Sequence, residues 1–134
     1  MTRAAECVPA PGERLSRRER LRGRDRIDEL FLKGRVARAG CLMARALPSD
    51  APWLRVAFLV GKKTGGAVIR NRLRRRLRAL YRRQKMALHG LAMVGGPMGF
   101  DVAVLPRQGA AAASAEKLGA DLREAILRAC QAAE

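Results

Sequence analysis

Between Ala67 and Arg83 the chain reads AVIRNRLRRRLRALYRR, and few folds can accommodate such a segment. An α-helix turns 100° per residue. At that angle Ile69, Leu73, Leu77, Leu80 and Tyr81 form one apolar stripe. Arg70, Arg74, Arg78 and Arg82 make an i, i+4 ridge beside it; Arg72, Arg76 and Arg83 flank the other border, and Arg75 lies between. One side of this helix must therefore be buried while the other is almost wholly cationic. No acid occurs from Gly61 to Phe100, so the sequence offers these cations no local partner. Each like-charge pair at i, i+4 costs about 0.2–0.5 kcal/mol. Tolerating several of them points to a counter-charge supplied from outside. A solvated face is the ordinary explanation of a charge run. Here, however, arginine outnumbers lysine, and guanidinium suits bidentate phosphate contact and base stacking.

The whole chain repeats that bias. Its 134 residues hold 28 Lys and Arg against 12 Asp and Glu, a formal charge of +16. Such an imbalance repels itself in the folded state and is usually offset by a polyanion. Nucleic acid is the leading candidate and an anionic membrane surface the second. With 49% hydrophobic residues the chain is no disordered basic tail, and its length suits one modest core. Aromatics are only 4%, so that core must come from Leu, Val, Ile, Met and Ala. The longest stretch without a charged residue, Met86 to Phe100, is too short and glycine-rich to span a bilayer. The N-terminus carries no apolar run of the secretory kind, so a cytoplasmic location is expected. Cys7, Cys41 and Cys130 lie far apart and His89 is the sole histidine, which leaves little for a zinc site or a histidine-based triad.

Periodicity divides the chain. Residues 1–13, with Pro9, Pro11 and Gly12, read as a flexible N-terminal arm before a single domain over 14–134. Arg14 to Arg26 is densely basic. Asp25 to Lys33 reads as a short helix with Ile27, Leu30 and Phe31 on one face and Gly34 as its stop. Cys41 to Leu47 predicts a strand, Pro48 to Pro52 a turn, and Leu54 to Val60 a second strand by alternation. Gly61 to Gly66 is a Gly/Lys loop, the arginine helix runs to about Ala87, and Gly90 to Gly99 is a loop. Phe100 to Leu105 predicts a third strand. Ser114 caps a last helix with Leu118, Leu122, Ala125, Ile126 and Ala129 in line. The pattern is a mixed α+β domain, a sheet with helices packed on it.

The ordered string Lys62-Lys63-Thr-Gly-Gly-Ala-Val-Ile-Arg70-Asn71-Arg72-Leu-Arg74-Arg75-Arg76-Leu-Arg78 resembles the bacterial ribonuclease P protein family. That family shows a Lys-Lys pair at the end of a strand, a glycine loop, then Ala-Val-x-Arg-Asn-Arg on a basic helix. Weaker similarity runs from about Arg20 to Arg128. The resemblance implies an α/β sandwich of order αβββαβα, like domain 2 of ribosomal protein S5, in which the arginine helix crosses between parallel central strands with left-handed sense. General rules favour the right-handed sense. It further implies a subunit of an endoribonuclease that removes the 5′ leader of precursor tRNA. Catalysis and its Mg2+ ions would belong to an RNA subunit. The implied partners are that catalytic RNA and precursor tRNA, with no membrane and no protein partner. Lys62, Lys63, Arg70, Asn71, Arg72, Arg74, Arg75 and Arg78 would contact the catalytic RNA. The leader would lie in a cleft between the first helix and the sheet, against Ile27, Phe31, Arg45 and Arg55. This sequence departs from the family there, since Ile27 stands where an aromatic is common and the first strand has none. Arg24, Arg35 and Arg38, with Arg45 and Arg55, would then carry more of the leader binding than stacking does.

Other motifs fit less well. Gly61-Lys-Lys-Thr-Gly-Gly66 lacks the terminal Gly-Lys-Ser/Thr of a phosphate-binding P-loop. A helix-turn-helix needs two adjacent helices, whereas this basic helix follows a strand and loop. A non-enzymatic RNA scaffold such as a ribosomal protein is the alternative that composition alone leaves open. A protein-only nuclease would need clustered carboxylates, and Asp25, Asp28, Glu29 and Asp101 are spread along the sequence.

Overall fold

A computed structural model describes residues 19–49, 51, 53–92 and 99–133, with residues 89–92 described by backbone alone. The N-terminal arm, Cys7 and most of the Gly90–Gly99 loop lie outside the described residues. The elements are α1 (Arg24–Lys33), β1 (Arg35–Ala39), β2 (Leu42–Ser49), β3 (Arg55–Phe58), α2 (Ala67–Ala92), β4 (Gly99–Pro106) and α3 (Ala115–Ala133). Short 3-10 turns at Lys62–Thr64 and Ala110–Ala112 precede α2 and α3. This is the expected αβββαβα order.

The four strands form one sheet in the order β1-β2-β4-β3, antiparallel except for the β3–β4 pair, which α2 connects. β4 is thus interior, while β3 is the last strand of the sheet rather than a central one. Its outer side is not bare: Arg20 bridges Val56 in parallel, and the Leu21 N–H donates to the Val56 carbonyl at 2.9 Å. That backbone bond covers part of an edge that would otherwise invite pairing with another chain.

Alternation along the strands sorts the side chains onto two faces. Leu42, Ala44 and Ala46 of β2, Val56 and Phe58 of β3, and Phe100, Val102 and Val104 of β4 join the main core with Leu73, Leu77 and Tyr81 of α2 and Leu118, Leu122 and Ile126 of α3. The small alanines of β2 let α3 sit close to the sheet. The opposite face carries a smaller cluster of Leu21, Leu30 and Ala103, with Ile27, Leu47, Ala57, Leu59 and Leu105 packed against it. α1 covers only part of this second face, and the uncovered part forms a surface beside it.

Several boundaries differ from the sequence reading. Periodicity gives no sign of β1; its Arg-Val-Ala-Arg-Ala is held by full pairing with β2. β2 runs on through Pro48 and Ser49, in place of the expected turn, and β3 is only four residues. α2 continues to Ala92 because Lys85 and Leu88, both fully buried, extend the stripe beyond Tyr81. Lys85 meets Glu19 at 3.1 Å, so one basic residue of this helix does have an intramolecular counter-charge. Ile69, expected in the stripe, is 44% exposed, in a first turn of α2 that is exposed throughout Ala67, Val68 and Ile69 and lies against Gly65. The Ser114 cap forms as expected, its hydroxyl accepting from the Lys117 N–H at 3.1 Å. Ser114 sends the chain into α3, whose Asp121 accepts from the Cys41 N–H and thiol. Burial and then the Asp121 bond push the Cys41 thiol up, which makes it an inert core group. Gly40 sits at φ +57 against Asp121, and a Cβ there would lie 2.2 Å from the carboxylate oxygen. Gly40→Ala is therefore expected to lower the melting temperature measurably, through both the backbone conformation and the displaced carboxylate.

Candidate nucleic-acid interface

α2 sets one basic surface. Its stripe of Leu73, Leu77, Tyr81, Lys85 and Leu88 is buried, and the arginines between are not. Arg72, Arg75, Arg78 and Arg83 are exposed; Arg70, Arg74, Arg76 and Arg82 are half-buried along the borders of the stripe. Asn71 is exposed and accepts from Arg74 Nη1 at 2.9 Å, which holds that guanidinium over the first turn of the helix. Arg70 Nε is buried from solvent without a hydrogen-bond partner. Arg78 is held below its ordinary pKa, first by burial and then by repulsion from Arg20 and Arg74. The ridge is therefore crowded with like charge, and Arg20, marked in the sequence only by family likeness, extends it across the edge of β3. Arg76 behaves differently. It donates to the carbonyls of Ala111 at 3.3 Å and Ala113 at 2.6 Å, fastening the loop before α3 to the helix. Lys62 and Lys63 are exposed in the 3-10 turn that leads into α2.

The second surface lies on the other face of the sheet, beside α1. Phe31 is outside both core clusters and 39% exposed. The Arg45 guanidinium stands over its ring, 4.8 Å from the centroid, and donates to the Phe31 carbonyl at 3.2 Å. Ile27 is half-buried in the smaller cluster. In the β1–β2 register Val36 pairs with Arg45 and Arg38 with Met43, so Val36 and Arg38 lie on this face. Arg35 pairs with Ala46 and belongs to the α3 face instead. Arg24 is exposed in the first turn of α1.

Arg55 shares this face but is already engaged. Its Nε and Nη2 donate to Asp101 at 2.6 and 2.7 Å, a bidentate pair with a fully buried carboxylate. Arg26 donates to the same carboxylate at 2.5 Å and to the Pro48 carbonyl at 2.9 Å. Burial alone would weaken the Arg26 proton, but Asp101 and Glu29 hold it in place. Asp101 thus binds α1 to β3 and β4. The sequence held one signal for this: an acid in the middle of an apolar strand must find cations to be tolerated there.

Among the described residues no three His, Cys, Asp or Glu side chains lie grouped as a metal site, and no helix is long and apolar enough to cross a membrane. A family model described as Ribonuclease P matches residues 15–130. The chain belongs to the ribonuclease P protein family. The ribonuclease P protein component of Thermus brockianus is 40% identical over 89 residues, which are 66% of this chain and 51% of that protein. The component from Petrotoga mobilis is 29% identical over 97 residues, 72% of this chain and 75% of that one. The chain spans about half the length of the Thermus relatives it matches. The RNase P protein from Thermotoga maritima superposes with a TM-score of 0.68 at 26% identity, over 82% of this chain and 96% of its own. The Staphylococcus aureus RNase P protein, at 19% identity, shares the fold with a TM-score of 0.66 over 81% and 92% of the two chains.

Proposed function

We propose that the chain is the protein subunit of a bacterial ribonuclease P, binding a catalytic RNA through α2 and the 5′ leader of precursor tRNA through the surface beside α1. The observation that carries this is the row of guanidinium groups on α2, with Arg72, Arg75, Arg78 and Arg83 exposed and no acid on the same helix to match them. Membership of the ribonuclease P protein family favours this reading over a ribosomal scaffold. The chemistry stays with the RNA, whose bound Mg2+ ions would activate the attacking water. The protein supplies charge, position and a grip on the substrate, in the cytoplasm where precursor tRNA is made.

Its test is a salt titration of the complex with the catalytic RNA. If about five arginines of α2 each neutralise one phosphate, log K should fall against log salt with a slope of roughly −3.5 to −4.5. A slope near −1 would make the ridge a solvated face. Freed rigorously of RNA, the protein with Mg2+ is expected to turn over no precursor tRNA; multiple turnover would overturn the division of labour.

On the leader side, Arg45 and Phe31 are the active pair in this proposal, and Arg55 acts by fixing the sheet beneath them. A guanidinium lying on a ring offers its own planar face to a base, and stacking is worth ~1–3 kcal/mol per base. Because Phe31 is outside the core clusters, Phe31→Ala is expected to cost roughly 1 kcal/mol of stability, the scale of an exposed cation–π interaction together with a partly buried ring. Discrimination between precursor and mature tRNA should shrink while assembly with the RNA is kept. The measurements are holoenzyme affinity for both tRNAs beside a thermal melt. A large drop in melting temperature with unchanged discrimination would return Phe31 to a packing role.

A further inference from the structure

Three adjoining cavities run round one end of the sheet. One of about 600 Å³ lies between the Lys63–Thr64 turn and the segment Pro106–Ala112. A second of about 580 Å³ shares Lys63, Thr64 and Pro106 with it and reaches Arg74. A third of about 260 Å³ shares Ala111 and Ala112 and reaches Arg72 and Arg76 of α2. The linings include six cations and no carboxylate. We propose that this groove carries the α2 surface onward as a track for the sugar-phosphate backbone of the catalytic RNA, from Lys62, Lys63, Arg72 and Arg74 to the Pro106–Ala112 segment, with Arg107 as its outer anchor. The inference rests on the reading that α2 faces that RNA.

The local sequence explains why the groove is open and firm. Its floor includes Gly109 and Ala110 to Ala112, and along that stretch no side chain larger than a methyl group keeps a polymer backbone away from the main chain. Gly109 takes φ +91, and a Cβ there would meet no other atom within 4 Å, so the space beside it is free. The loop is pinned on two sides. Arg76 grips the Ala111 and Ala113 carbonyls from α2, and the Arg107 N–H donates to the Cys41 carbonyl at 2.7 Å. The exposed Arg107 side chain uses one N–H on the Gly40 carbonyl at 3.3 Å, a fraction of the five donors a guanidinium carries. A firm floor with cations at its walls suits a fixed run of phosphates, because little ordering remains to be done on binding. Continuity with Arg72 and Arg76 favours the catalytic RNA over the precursor's leader, whose proposed surface at Phe31 and Arg45 shares none of the groove's lining residues.

The test uses the reconstituted holoenzyme and two variants. Arg107→Gln removes the anchor. Ala111→Glu leaves every cation in place and sets a carboxylate in the groove at an exposed position. Each should weaken binding to the catalytic RNA roughly tenfold, the scale of one charge-assisted hydrogen bond, and Arg107→Gln should make the salt slope shallower by about 0.7–0.9. Affinity of the assembled holoenzyme for precursor tRNA should stay within twofold. Should Arg107→Gln melt early for want of its Gly40 bond, Ala111→Glu alone carries the comparison. Wild-type affinity and slope in both variants would overturn the groove. Weaker precursor binding with unchanged RNA assembly would overturn it too, giving the site to the substrate. A wild-type slope near −1 would instead defeat the underlying reading of α2, which separates the two failures.

Discussion

Replacing Arg70, Arg74 and Arg78 together by glutamine is expected to leave a folded protein with little remaining hold on RNA. Glutamine nearly matches arginine in helix propensity, and the side of α2 that holds the fold together, with Leu73, Leu77 and Tyr81, is untouched. What disappears is charge that the folded protein itself does not need. Arg78 is held below its ordinary pKa by burial and by Arg20 and Arg74, so the triple change relieves repulsion inside the molecule. The melting temperature should hold or rise. Affinity for the catalytic RNA should fall by roughly a hundredfold or more, the scale of several charge-assisted hydrogen bonds. The salt slope should become shallower by about 2.1–2.7, at 0.7–0.9 for each phosphate no longer neutralised. A salt titration beside a thermal melt checks both halves. Wild-type affinity with a raised melting temperature would show that the ridge faces only water.

Asp101→Asn should do the reverse, injuring the fold first. Asp101 is fully buried and receives three donors from Arg55 and Arg26. Removing its charge strands two guanidinium groups whose side chains are only 33% and 24% exposed. Breaking a buried pair in this way costs about 3–5 kcal/mol, and the partial exposure of the arginines favours the lower end. For a chain of this size that is a drop of roughly 10 °C in melting temperature. Because the carboxylate ties α1 to the sheet, discrimination of precursor from mature tRNA should suffer more than assembly with the catalytic RNA. A triple variant with Asp101→Leu, Arg55→Met and Arg26→Met should recover part of the stability, since an apolar replacement leaves no unpaired charge. If Asp101→Asn melts with the wild type, the carboxylate is not the tie described.

What could be read in the sequence was what local periodicity records. The buried face of α2, the stripe of α3 and the strand from Phe100 follow from spacings of 3.6 and 2 residues, and all three form. The family likeness supplied the element order. The misses share a cause: each depends on a partner far along the chain. β1 has almost no apolar pattern and exists because Val36 and Arg38 pair with Arg45 and Met43. Lys85 looks in the sequence like one more solvated cation, yet it occupies a stripe position and meets Glu19, 66 residues away. Asp101 looks like a stray acid and is the centre of an ion cluster built from α1, β3 and β4. Ile69 keeps the right phase but lies in the exposed first turn of the helix. Of the candidate site, the α2 arginines stand where spacing put them, with Arg76 turned to structural use. On the surface proposed for the leader, Arg45 and Phe31 meet as neighbours, while Arg55 is bound to the fold and Arg35 lies on the other face.

The parallel pairing of β3 with β4 also bears on how the chain assembles. The β1–β2 hairpin closes through a tight turn at Gly40 and can form as soon as it is made. Val56 must wait for Val102, after the whole of α2 has been synthesised. Such distant closure is the slow part of folding. In that interval Leu73, Leu77 and Tyr81 have neither β4 nor α3 to cover them, which is the condition under which nascent chains aggregate. In this chain the sticky stripe is flanked on both borders by arginines, so two unfinished copies repel each other before their apolar faces can meet. The charge proposed to recruit RNA thus also guards the unfinished protein, and a variant stripped of it, however stable once folded, should be the harder one to obtain in soluble form.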